Sequence, residues 1–174
     1  MKATGIIRRI DELGRIVIPK EIRKLLRINE GEDIEIYIDD LENIILKKHS
    51  NIKNIKDFVQ KYTDSIYNIL KENIIITDTS NIIAVSGNLK KEIINKEISK
   101  DLYEIISTKK KKIKDKKLNI TDLIQIEENY KINFITLLGD IKGLMIYVKK
   151  EDINDVENKI IDLSSNFLSK YLEE

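Results

Sequence analysis

The spacing of apolar positions changes near residue 50, and the change divides the chain. Before it, short alternating runs are separated by turn signals. Thr4 to Ile10 predicts a strand, Asp11-Glu12-Leu13-Gly14 a turn, and Arg15 to Ile18 a second short strand carrying Ile16 and Ile18. Pro19 suits the first position of a helix, where its missing N–H costs nothing. Lys20 to Leu26 then predicts about two helical turns that bury Ile22, Leu25 and Leu26. Asn29-Glu30-Gly31-Glu32 reads as a turn. Ile34, Ile36 and Ile38 alternate with Glu35 and Tyr37, the period-2 pattern of a strand. Asp39 to Asn43 predicts a hairpin turn, with Ile44 to Lys48 pairing back. The expected order is β-β-α-β-β.

Beyond residue 50 the apolar spacing lengthens. Ile52, Ile55, Val59, Tyr62, Ile66 and Ile69 form a heptad-like stripe on one long helix. Such a stripe is a core face or an intersubunit seam, and the pattern leaves both readings open. Asn73 to Thr77 and Asn81 to Val85 predict strands around an Asp78-Thr79-Ser80 turn. Asn88 to Ile106 predicts mostly helix. Lys131 to Leu138 and Lys142 to Lys149 predict a β-hairpin closing near Gly139-Asp140. Ile153, Val156, Ile160, Leu163, Phe167 and Tyr171 form a second stripe. The expected class is α+β, with an antiparallel sheet flanked by helices in the second half. His49 to Lys53 reads as the linker. Four short strands and one small helix make a poor independent core for residues 1–50. A second copy would supply the missing cover, so an obligate homodimer with two-fold symmetry is expected.

Charge sharpens this picture. All five arginines, Arg8, Arg9, Arg15, Arg23 and Arg27, lie in the first 27 residues, whereas 23 of the 26 lysines lie in the remaining 147. Arginine is a rigid fork that grips a phosphate or a guanine edge at two points, and lysine is a point charge on a flexible stem. A chain that confines its forks to one segment needs their geometry there. Residues 1–29 hold eight Lys/Arg against three Asp/Glu, a net of +5, and residues 30–50 hold two against seven, a net of −5. The whole chain carries only +1, so attraction to a polyanion must come from that local patch. The chain has no cysteine and a single histidine, His49, at the linker. Disulfides, thiolate metal sites and Cys nucleophiles are excluded, and no Ser/His/Asp set, metal cluster or Gly-rich phosphate loop points to an enzyme. No apolar run approaches a membrane span, and the Met-Lys-Ala-Thr-Gly start lacks a signal peptide's apolar stretch, so a cytoplasmic, nucleoid-associated protein is expected.

The run Met1-Lys-Ala-Thr-Gly-Ile-Ile-Arg-Arg-Ile-Asp-Glu-Leu-Gly-Arg-Ile-Val-Ile-Pro-Lys-Glu-Ile-Arg23 closely resembles the AbrB-type transition-state regulators. Leu13-Gly14-Arg15-Ile16-Val17-Ile18-Pro19 is its most specific part, and Glu35-Ile36-Tyr37 and Ile44 to Lys48 continue the likeness. Ile83-Ala84-Val85-Ser86-Gly87 with Lys90-Lys91 is similar to the start of the GAF-like domain found in the sporulation branch of that family. The resemblance implies a swapped-hairpin β-barrel dimer over residues 1–50 and a GAF-like sensor or oligomerisation domain over 54–174. It further implies a regulator, activator or repressor, of sporulation-stage genes that binds double-stranded DNA. DNA contacts are carried over to Arg8, Arg15, Arg23 and Lys24, the last standing where an arginine is common. Arg9, Lys20, Lys2 and Arg27 follow by charge and proximity.

Some readings stay open at this stage. The two end-helix stripes suggest a tetramer through the C-terminal helices. No cofactor or metal is expected, and an unidentified small molecule is the one ligand a GAF-like domain invites. The lysine-rich run 109–117 is either a solvated loop or a secondary phosphate contact. The competing function is an AbrB-type antitoxin that autoregulates its operon and binds a toxin through its C-terminal half. Residues 51–174 are apolar-patterned and near neutral, with 21 basic and 20 acidic side chains, which argues against the acidic disordered tail of that class.

Overall fold

A computed structural model describes residues 5–110 and 117–173. Lys2 and the centre of the lysine-rich run, 111–116, lie outside the described residues. The chain forms two compact units, Met1–His49 and Ser50–Glu174.

In the first unit, helix α1 (Lys20–Leu25) is followed by the antiparallel pair β1 (Ile34–Ile38) and β2 (Ile44–Lys48), in register from Ile34↔Lys48 to Ile38↔Ile44. Pro19 is the N-cap of α1, one place earlier than its ring geometry predicts. The helix ends in a Schellman motif. Arg27 takes the left-handed conformation (φ +52°), Ile28 N–H reaches Arg23 C=O at 2.8 Å, and Arg27 N–H reaches Lys24 C=O at 3.3 Å.

The two strands expected within 4–10 and 15–18 are not formed in the single chain: residues 5–10 and 15–18 carry no strand. Only their turn is closed, by Asp11 N–H to Arg15 C=O at 3.0 Å and Gly14 N–H to Asp11 C=O at 2.9 Å, with Gly14 at φ +75°. A strand exists only through its ladder, and these arms have no neighbouring strand in their own chain. The expected burial of α1 fails in the same way. Leu25 is 73% and Leu26 55% exposed, and no described residue of this unit is buried.

The second unit has a real interior. Its four-stranded antiparallel sheet runs in the order β4 (Ile82–Ser86), β3 (Asn73–Thr77), β8 (Asp140–Lys149), β7 (Asn129–Leu137). Helices α2 (Asn51–Asn54), α3 (Lys56–Leu70) and α6 (Asp155–Tyr171) cover one face, packing on Ile74, Ile76, Ala84, Met145 and Tyr147. Helices α4 (Lys90–Ile93) and α5 (Lys100–Thr108), with the short pair β5 (Leu118–Asn119) and β6 (Gln125–Ile126), cover the other, over Ile75, Val85, Ile132, Leu144 and Ile146. Burial on both faces explains why β3 and β4 read as continuous apolar runs rather than alternating ones. Leu138 (φ +51°) and Gly139 (φ +86°) form the two-residue turn between β7 and β8, both in the region a type I′ turn requires. Gly143 is obligatory: a Cβ there would stand 1.9 Å from the Thr77 carbonyl oxygen.

Two helical expectations are corrected here, and a third element shows its orientation. The first stripe is broken at Ile55 (φ −107°) into α2 and α3, and its last member, Ile69, is 71% exposed. The segment 88–106 is interrupted because Lys96 C=O accepts from Ile82 N–H and Asn95 N–H donates to Ile82 C=O, each within 3.0 Å. Satisfying the edge of β4 outweighs helix propensity there. The stripe of α6 is turned outward: Val156 is 67%, Leu163 69% and Phe167 44% exposed. Among the described residues no helix is long and apolar enough to cross a membrane.

Candidate nucleic-acid interface

The basic residues of the first unit stand on two elements. The first is the turn Asp11–Arg15. Its Asp11 carboxylate is held by its own loop: Oδ1 accepts from Leu13 N–H at 3.0 Å and from Arg15 N–H at 2.8 Å. Oδ2 accepts from Arg15 Nε at 2.7 Å. Donation from the Arg15 backbone, then from its side chain, holds the Asp11 carboxyl below the usual carboxylate range. The Arg15 side chain remains 70% exposed. Arg8 and Arg9 lie on the arm leading into this turn and are exposed; one Arg8 amino group donates to Ile7 C=O at 3.3 Å.

The second element is α1. Lys20, Arg23 and Lys24 are exposed and, at spacings of three and four, lie on one side of the helix. Arg27 is set apart from these. It is half-buried, its backbone terminates α1, and its carbonyl accepts from Lys48 Nζ at 2.9 Å. These contacts use its backbone, and its side chain stays a second-rank candidate by charge and proximity.

The same loop occurs twice, a feature that reading the sequence for single motifs misses. In Asp39-Asp40-Leu41-Glu42-Asn43, Asp39 Oδ1 accepts from Leu41 N–H at 3.0 Å and Asn43 N–H at 2.8 Å, and Oδ2 accepts from Asn43 Nδ2 at 3.0 Å. Asp39 N–H donates to Asn43 C=O at 3.1 Å, and Glu42 takes φ +61° where Gly14 takes +75°. The visible signal is Asp-x-Leu in both loops, with a side-chain donor four residues after the aspartate. His49, the single histidine, is partnered: its Nδ1 lies 2.6 Å from Glu35 Oε1, and Tyr37 O–H donates to the other oxygen of that carboxylate. The Tyr37 and then the His49 hydrogen bond hold the Glu35 carboxyl down.

Among the described residues no group of three or more His, Cys, Asp or Glu side chains is placed to hold a metal ion. The arrangement offers exposed, directed donors and positive charge on a turn and a short helix. Its chemistry is anion and base-edge recognition.

The chain has clear relatives among known proteins. Residues 54–173 match the family described as stage V sporulation protein T C-terminal, transcription factor. Residues 7–54 match antidote-toxin recognition MazE, bacterial antitoxin. Stage V sporulation protein T of Bacillus subtilis (strain 168) is 39% identical over 178 aligned residues, covering 100% of both chains. Transition state regulatory protein AbrB of the same organism is 61% identical over 49 residues, 28% of this chain and 50% of that one. The solution structure of the N-domain of the transcription factor abrB is 60% identical across 29% of this chain and 94% of that one, with a TM-score of 0.27. A full-length relative at this identity and a family match over most of the chain lead to one conclusion: the protein belongs to the stage V sporulation protein T family of transcription factors, with an AbrB-like N-terminal segment.

Proposed function

We propose that the chain regulates transcription of sporulation-stage genes by binding duplex DNA through Arg8, Arg9, Arg15, Lys20, Arg23 and Lys24 of a dimeric N-terminal unit. The observation that carries this reading is the exposure of those side chains on a turn and a helix of a unit with a net basic first half. Lys2 joins them by charge alone. Arg23 and Lys24, flanking one another on α1, suit phosphate contacts that set register.

The dimer follows from what the unit lacks. Ile7, Ile10, Leu13, Val17, Leu25, Ile36, Ile38 and Ile44 are all at least 67% exposed. Large apolar side chains in that number, beside two arms without a ladder, are completed by interlacing with a second copy into a swapped-hairpin barrel. The second unit serves as a GAF-like sensor and assembly domain. Its antiparallel sheet with helices on both faces supports that reading, and the outward stripe of α6 suits a further helix contact that makes a tetramer. A small-molecule ligand has no room in the apolar crevice lined by Ile52, Ile55, Val59, Ile135, Leu168 and Leu172, which is too narrow for a water molecule. The protein works in the cytoplasm at the nucleoid, without enzymatic activity.

The antitoxin reading draws on the MazE match over residues 7–54. Two hydrophobic clusters of its own give Ser50–Glu174 the character of a folded domain rather than a tail, which favours the regulator.

Titrating labelled duplex with the full chain tests the proposal. If about six to eight phosphates are neutralised per dimer, log K against log[salt] slopes by about −5 to −7. Arg15→Ala is expected to weaken specific binding far more than Lys110→Ala, in the second unit. Equal losses would count against the assigned patch.

A further inference from the structure

Two copies of one loop, with the same aspartate-centred hydrogen bonds but a different side chain at the fifth position, separate what the fold needs from what is added. In the second loop the aspartate Oδ2 is satisfied by a single amide N–H, from Asn43 at 3.0 Å. That is all the turn requires. In the first loop Arg15 fills the same place with Nε, at 2.7 Å. A guanidinium has four further N–H bonds on its two terminal nitrogens. Among the described residues those nitrogens donate to no partner, and the side chain is 70% exposed. Holding Nε against a carboxylate that is itself fixed by two backbone N–H groups sets the plane of the guanidinium. The Nη pair, which donates to no partner among the described residues, is left available as a ready-made fork.

Charge decides what such a fork can read. A carboxylate 2.7 Å from the guanidinium cancels much of its long-range field. It also repels a phosphate brought to the same spot. For a phosphate clamp both effects are losses. For a base edge they are not, because O6 and N7 of guanine are neutral acceptors recognised by directed N–H bonds. Arg23 and Lys24, with no such carboxylate contact among the described residues, keep their full charge for the backbone.

Resting on the DNA-binding reading above, we infer that Asp11 is a positioning residue for specificity: it presents Arg15 as a two-pronged reader of a guanine edge rather than as a phosphate contact. Immobilising the fork in advance lowers the rotamer entropy lost on binding. It also withholds attraction from DNA that lacks the matching base.

Asp11→Asn isolates the effect. The asparagine Oδ1 still accepts from Leu13 and Arg15 N–H, so the turn is kept as in the second loop, while the amide that replaces Oδ2 cannot accept from Nε. Arg15→Asn places at the fifth position the amide that the second loop has there. Full-length wild type, both single variants and the double variant are titrated against a duplex enriched by the wild type from a randomised pool, and against the same duplex with its G·C pairs replaced by A·T pairs. Asp11→Asn is expected to lose about tenfold in the ratio of specific to non-specific affinity. Its non-specific affinity and salt slope are expected to stay level or rise, since a negative charge has gone. In the Arg15→Asn background the same change is expected to leave the ratio untouched. An unchanged ratio in Asp11→Asn overturns the inference. So does an equal fall in both affinities with a lowered unfolding temperature, which is the mark of a residue that only holds the turn. If the wild type enriches no sequence at all, the DNA-binding reading itself fails, a result distinct from either.

Discussion

Glu157 shows how one side chain ties a strand to a helix. Its Oε1 accepts from Tyr147 O–H at 3.1 Å and Lys149 Nζ at 2.9 Å, both on β8, and its Oε2 accepts from Asn154 N–H at 2.9 Å in the capping box of α6. Burial alone would raise its carboxyl; the Asn154 N–H, Lys149 and Tyr147 together bring it below the ordinary value. A carboxylate held down in the folded state contributes stability above its unfolded value, about pH 4.3, and loses it as pH falls through the folded one. Unfolding of the second unit, followed by denaturant titration at successive pH values, is therefore expected to weaken below about pH 4.3. Glu157→Gln is expected to flatten that acid limb while lowering stability at neutral pH, because Lys149 is then left half-paired with only the distant Glu151 at 3.8 Å.

At the scale of elements, α6 carries two stripes, one against the sheet and one facing outward. The face against the sheet is built from Ile161, Ser164, Ser165, Leu168 and Ser169, all buried. Serines there are small enough to let the helix lie close to β7 and polar enough to serve it. Ser165 Oγ accepts from Asn133 Nδ2 at 2.9 Å, and Ser169 Oγ accepts from Thr136 N–H at 2.9 Å. The larger apolar residues Val156, Leu163 and Phe167 face outward. On the α3 side, Phe58 stacks on Tyr171 with centroids 4.1 Å apart, and Tyr62 meets Phe167 at 5.1 Å, so the outward surface is a rigid aromatic and aliphatic patch. A charge placed in it leaves the fold intact and blocks association. Leu163→Glu is expected to lower the assembly by one step in sedimentation velocity with an unchanged far-UV circular dichroism spectrum; a dissociated variant that also unfolds would place Leu163 in the core instead.

Periodicity identified both end helices, and for the second it did not reveal the face that meets the sheet, because it ranks positions by size. The serine face registers as polar although it is the buried one. The first stripe fared better: Ile52, Val59 and Ile66 are buried, joined by Thr63, whose Oγ1 donates to Val59 C=O at 2.6 Å. A hydroxyl that satisfies itself within its own helix can enter a core that a hydropathy pattern would deny it. The short pair β5–β6 was not foreseen, since two-residue strands carry no period.

For the whole molecule, the contrast between the units governs behaviour. Ser50–Glu174 buries two clusters of its own, and Met1–His49 buries none of its described residues. A unit that is completed by a second copy is stabilised by mass action, and one that is complete in itself is not. Calorimetry of the full chain is expected to show one transition whose midpoint climbs with protein concentration, from the N-terminal unit. A transition of the second unit is expected to move far less. Two concentration-independent midpoints would remove the case for interlaced N-terminal strands.

The order of residues by itself determined the division near residue 50, the turns at Asp11–Gly14 and Asp39–Asn43, the β1–β2 and β7–β8 hairpins, and the confinement of arginine to the first 27 positions. These are local properties: a turn depends on a few adjacent residues, and charge is a matter of composition. Only the tertiary structure decided which stripe of α6 meets the sheet, that His49 pairs with Glu35, and that Asp11 holds Arg15 by one nitrogen and leaves the fork open. The first two are set by the packing of each unit; the third is a contact between near neighbours, but Arg15 has both Asp11 and Glu12 within the turn, and only the turn's geometry selects Asp11 and the single Nε contact.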